Sequence, residues 1–131
     1  MLSLLLLLAC KDDPPPDDTS PGVFTYDEVQ AVFDRSCATY GCHGGPEAET
    51  GLDLSPGASY AMLVGAPSAQ LPSMARVSAG DAAGSYLIRK LEATQLDAGG
   101  SGDAMPPDLP FGLDAAEIAS LRAWIDAGAA P

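Results

Sequence analysis

From residue 23 onward, apolar positions recur at helical spacing in separate stretches, and no stretch alternates as a half-buried strand would. Thr25-Tyr26-Asp27-Glu28 has the form of a capping box, with Thr25 as N-cap and Glu28 at the third helical position. Val29, Val32 and Phe33 follow at i, i+3 and i+4, which predicts a first helix with one apolar face that delivers the chain to Cys37. Ser59 to Val64 reads as a short helix turning Tyr60, Leu63 and Val64 inward. Ala83 to Thr94 is the second clear helix, with Asp81 as its cap and Leu87, Ile88 and Leu91 as its stripe. A third starts at Asp114, where Glu117 closes another capping box. Its buried face is Ile118, Leu121, Trp124 and Ile125, and Gly128 stops it. Gly44 to Gly57, Gly65 to Ser78 and Gln95 to Phe111 are loop, with Leu52 and Leu54 as the core contacts of the first. The expected fold is therefore all-α, three main helices joined by long loops.

Ahead of residue 23 the pattern changes. Lys11 to Gly22 is dominated by aspartate and proline and has nothing to place in a core, so it reads as an extended, solvated tether. Residues 1–9 form an apolar run well short of the roughly 20 residues that cross a bilayer. The run resembles the end of a bacterial lipoprotein signal peptide, with Leu7-Leu8-Ala9-Cys10 in the place of the lipobox. It looks truncated, as if the start were assigned too late, because it lacks a basic n-region and is shorter than the roughly 15 to 30 residues of a usual signal. The resemblance implies that Cys10 is lipidated and becomes the mature N-terminus. Residues 10–22 would then be the tether, 23–131 the domain, and the protein exported, lipid-anchored and either periplasm-facing or at the outer membrane. Lys11 stands where an aspartate often accompanies inner-membrane retention, which points toward the outer membrane.

Composition narrows the classes. The chain has 131 residues and 47% apolar content, enough for one small core. Its 18 acidic against 6 basic residues argue against a nucleic-acid partner, which needs clustered lysine and arginine. With 14 glycines and 12 prolines the domain is loop-rich, of the kind that needs a disulfide, metal or cofactor as a staple.

The residues able to act as that staple lie in Cys37-Ala38-Thr39-Tyr40-Gly41-Cys42-His43. Two thiols closing directly onto a histidine are what covalent haem attachment needs: two thioethers to the porphyrin edge and an imidazole for the iron. The usual spacer is two residues and here it is four, so the extra residues must bulge, and Gly41 is best able to take the backbone turn. Assigning Cys10 to a lipid removes the odd cysteine and leaves Cys37 and Cys42 as a pair. Other readings of the same residues are a disulfide with His43 as a solvated loop residue, a zinc site short of ligands, and a reactive Cys-His pair.

At these residues the chain resembles the small bacterial c-type cytochrome domains with a wide Cys-x4-Cys-His attachment run, as found in myxobacterial and planctomycete lipoproteins. The resemblance spans about Tyr26 to Ala129 and rests on four stretches. These are the run at 37–43, Arg-Val-Ser-Ala-Gly-Asp at 76–81 with Ser-Tyr-Leu-Ile-Arg-Lys-Leu at 85–91, Met-Pro-Pro at 105–107, and Ala-Trp-Ile-Asp-Ala-Gly-Ala at 123–129. It implies a cytochrome c-like fold around one haem c held through Cys37 and Cys42, with the first and last helices crossing beside it. His43 would be the proximal ligand and Met105 the distal one, with Met62 and Met74 as rivals. Arg76 would partner a haem propionate, and Tyr86 and Trp124 would pack on the haem or in the core. The function implied is one-electron transfer outside the cytoplasm, without substrate turnover, to a redox partner protein carrying a basic patch. Two alternatives remain at this stage: a haem sensor or peroxidase-like module with an open iron site, and a haem-free lipoprotein stapled by a disulfide.

Overall fold

The structure, a computed structural model, describes residues 22–107 and 112–131. Cys10, the segment 1–9 and most of the tether lie outside the described residues. The fold is all-α, with helices α1 (Tyr26–Ser36), α2 (Ser59–Leu63), α3 (Tyr86–Leu91) and α4 (Ala115–Asp126), and one 3-10 turn at Glu49–Gly51. Among the described residues no strand forms. Val64 with Val77, Pro67 with Ala75 and Ser78 with Asp81 pair as isolated bridges that fold the 65–81 segment back on itself. No helix among the described residues is long and apolar enough to cross a membrane.

Both capping boxes form. The Thr25 hydroxyl accepts from the Glu28 amide while the Glu28 carboxylate accepts from the Thr25 amide at 2.7 Å, and Asp114 and Glu117 exchange the equivalent bonds at 2.8 and 3.0 Å. The two bonds from Thr25, backbone first, hold the Glu28 carboxyl below its ordinary range. At the far end of α4, Gly128 takes φ +113° and ends the helix, as expected from its position.

The core gathers the apolar faces of all four helices. Val29, Val32 and Phe33 of α1, Leu63 of α2, Ile88 of α3 and Leu121, Trp124 and Ile125 of α4 are buried together with Leu54 and Val77 from the loops. Ile118 is only half-buried, so the inner face of α4 starts later than its periodicity suggests. Tyr26 stacks on Trp124 with centroids 6.0 Å apart, and Arg35 pairs with Glu117. These contacts join the start of α1 to the end of α4 and the end of α1 to its start, so the two helices meet through side chains in antiparallel order.

The third element differs from expectation at both ends. Helix α3 covers Tyr86–Leu91 in place of 83–94, and Ser85 is its N-cap residue in place of Asp81. Asp81 instead caps a turn one step earlier, its carboxylate accepting from the Gly84 amide at 2.8 Å. At the other end Ala93 adopts φ +58°, and the Thr94 and Ala93 amides reach back to the Arg89 and Lys90 carbonyls. That Schellman closure ends the helix without a glycine, which is why composition did not signal it.

Candidate cofactor cleft

The attachment run folds as a closed loop at the end of α1. Cys37 is the C-cap residue, its amide still bonded to the Phe33 carbonyl at 2.8 Å. From there the chain returns on itself: the His43 amide donates to the Cys37 carbonyl at 3.0 Å and the Cys42 amide to Thr39 at 3.0 Å. Gly41 takes φ +77°, the turn that the four-residue spacer requires, and Tyr40 stands fully in solvent. Gly44 closes the loop by proximity: a Cβ there would sit 2.6 Å from the Ala38 carbonyl oxygen.

Both cysteines are free thiols. Burial pushes the Cys37 thiol up to about 12; the Arg35 guanidinium pulls it down and Cys42 raises it, both by less. Cys37 in the haem-free chain is therefore a neutral thiol at physiological pH. The His43 ring is fixed by its Nδ1, 3.2 Å from the Leu52 carbonyl oxygen. A carbonyl can only accept, so Nδ1 carries a proton, and in the neutral ring Nε2 is the nitrogen with the lone pair.

Beside these residues lie two adjoining cavities of about 260 and 340 Å³, which share Cys37, His43, Glu49 and Met105 in their walls. Together they have the volume of a cofactor site. Cys42, Gly41 and Pro106 border one cavity, while Arg76, Lys90 and Gln70 border the other. The second cavity is walled mainly by Leu52, Leu54, Leu63, Leu87 and Leu91. Compared with protein-family models, curated proteins and solved structures, the chain finds no match.

The structure thus brings Cys37, Cys42, His43, Met105 and Arg76 to one cleft. Met62 and Met74 border neither cavity. Met105 is placed through its backbone, its amide donating to the Lys90 carbonyl at 2.9 Å at the end of α3. Arg76 gives one guanidinium N–H to the Met62 carbonyl at 2.9 Å and keeps the rest of its fork. Tyr86 borders the cleft with its hydroxyl bonded to Gln70 and Ser101, whereas Trp124 belongs to the core, donating to the Ala130 carbonyl at 2.9 Å. Three contributors escaped sequence reasoning. The Leu52 carbonyl is a backbone group and Glu49 looked like ordinary loop. Lys90, given no role from the sequence, is only 8% exposed. Burial lowers its proton affinity, with Asp103 opposing.

The donor set fits a haem. Among the described residues no three His, Cys, Asp or Glu side chains gather into a metal site, but a porphyrin supplies four ligands of its own and asks the protein for one or two. An imidazole with Nε2 free, a thioether in the same cleft wall, two thiols and an apolar lining meet that need.

Proposed function

We propose that the chain is a monohaem c-type cytochrome, a one-electron carrier that works outside the cytoplasm on a lipid tether through Cys10. One observation carries this reading: the Cys37-to-His43 run and Met105, 62 residues apart in sequence, border the same cleft beside an imidazole whose Nδ1 is already committed. The cytochrome c-like form of the all-α fold is part of the same proposal, supported by the antiparallel contact of α1 with α4. When bound, the haem supplies an iron that alternates between ferrous and ferric states.

The chain's own residues do the rest. Cys37 and Cys42 would hold the haem through two thioethers, each the addition of one S–H to one vinyl group with no net oxidation. His43 offers Nε2 in an orientation held by Leu52, and second-shell bonds of this kind set ligand basicity. Met105 offers a soft neutral sulfur, which raises the reduction potential relative to two nitrogen ligands. The leucine wall excludes water and stabilises the lower charge of the reduced site. No group in the cleft is asked to turn over a substrate.

The test is an absorption spectrum of the full chain expressed with export and haem-maturation machinery. A low-spin c-type spectrum that survives acid-acetone extraction is expected. A high-spin ferric spectrum would favour an open iron site, and the absence of a Soret band would leave the disulfide-stapled reading. In Met105→Ala the spectrum is expected to turn high-spin with a lower potential; an unchanged ligand spectrum would refute the distal role.

A further inference from the structure

The cleft is polarised in a way that its motif does not announce. Cys42 borders one cavity only and the cations Arg76 and Lys90 the other only, with His43 and Met105 common to both. Cys42 therefore marks one end of the cleft and the positive charges its far end, with Cys37, like His43 and Met105, in the walls of both cavities.

Among the described residues neither charge is in an ion pair, and Asp103 acts on Lys90 only from a distance. Among the described residues the ion pairs are Arg35 with Glu117 and Arg122 with Glu92, and neither Arg76 nor Lys90 has a carboxylate within bridging distance. Asp103 borders the same cavity without reaching either cation. Lys90 is a buried residue, and its ammonium donates instead to the Gln70 side-chain oxygen at 2.8 Å and the Ser101 carbonyl at 3.3 Å. A buried charge held only by neutral acceptors is unfavourable unless something pairs it. In a chain with 18 acidic residues against 6 basic, the missing anion is conspicuous. The arrangement is also tightly built: a Cβ on Gly102 would sit 2.5 Å from the Gln70 amide nitrogen and 3.2 Å from the Lys90 ammonium.

We propose that Lys90 and Arg76 form a carboxylate subsite at the end of the cleft away from Cys42, with Gln70 orienting Lys90. It takes the acid groups of a planar ligand whose opposite edge meets the thiols. This deepens the haem reading and rests on it: Arg76 alone was expected at the propionates, and Lys90 is the added determinant. An arginine fork and a desolvated ammonium together suit carboxylates, which accept from both.

The experiment uses the full haem-free chain and iron mesoporphyrin IX, whose vinyl groups are saturated so that no thioether can form, against the dimethyl ester of the same porphyrin. Both are titrated by Soret absorption in the same dilute detergent. The diacid is expected to bind about tenfold more tightly than the diester, as charge-assisted hydrogen bonds imply. That preference is expected to fall to about twofold or less in R76Q/K90Q. Equal binding of diacid and diester by the unaltered chain would overturn the subsite and leave the haem reading standing. Binding of neither porphyrin would overturn both. A preference that survives in the double variant, with its far-ultraviolet circular dichroism intact, would remove these two residues from the assignment.

Discussion

His43 and Cys37 show how little of a residue's chemistry its identity settles. The imidazole becomes a directed Nε2 donor because the Leu52 carbonyl, nine residues on, engages Nδ1. Cys37 becomes an unreactive thiol because it is buried at the end of α1. Its value rises from an ordinary 9.0 to about 12, so burial favours the protonated form. The stability this contributes is present below pH 9 and is lost as pH rises toward 12. At pH 8 the thiolate fraction in the folded haem-free chain is about a thousandfold lower than in the unfolded chain. Iodoacetamide labelling followed by peptide mapping should find Cys37 slowed by at least about thirtyfold on folding, after allowing for nucleophilicity. Equal labelling with and without urea would show that the thiol is not buried.

At the scale of elements, the helices serve as brackets for loops. Helix α1 ends on Cys37, and α3 ends on the carbonyl that receives the Met105 amide. The loop leading to Met105 is also stitched to α3 by Tyr86, whose hydroxyl donates to the Ser101 carbonyl at 3.1 Å, and to itself by Gln95, whose side-chain amide donates to the Gly102 carbonyl at 3.0 Å. These backbone partners carry no sequence signal, since any residue could supply the carbonyl. The attachment loop depends in the same way on Gly44. Its requirement is contact, not dihedral freedom, because an added Cβ meets backbone that cannot swing aside. Gly44→Ala is expected to destabilise the haem-free chain by about 1–3 kcal/mol, read as a lower urea midpoint at unchanged slope. A midpoint within about 0.3 kcal/mol of the parent would show that the loop has room. Gly45, at φ +77°, has nothing within contact of an added Cβ and is the control for φ alone, with an expected loss of about 1 kcal/mol.

For the whole molecule, charge opposes compaction. The full chain carries a formal charge of -12, and among the described residues the ion pairs, Arg35 with Glu117 and Arg122 with Glu92, lie at the surface and contribute little. Raising salt from about 10 mM to about 150 mM shortens the Debye length from roughly 30 Å to 8 Å. The melting temperature of the haem-free chain should therefore rise with sodium chloride, followed by circular dichroism; a fall would mean that surface pairs outweigh the repulsion. The sequence by itself determined the parts whose cause is local. The starts of α1 and α4 are written in capping boxes four residues long, the turn at Gly41 follows from the spacer, and the adjacency of Cys42 to His43 needs no folding. The limits of α3 were not legible, because Ala93 enters the left-handed region only to satisfy the Arg89 and Lys90 carbonyls. Only tertiary structure could bring Met105 beside His43 in place of Met62 or Met74, and bury Lys90 against Gln70. Those neighbours are set by the packing of separate elements, and no periodicity within one element encodes the distance to another.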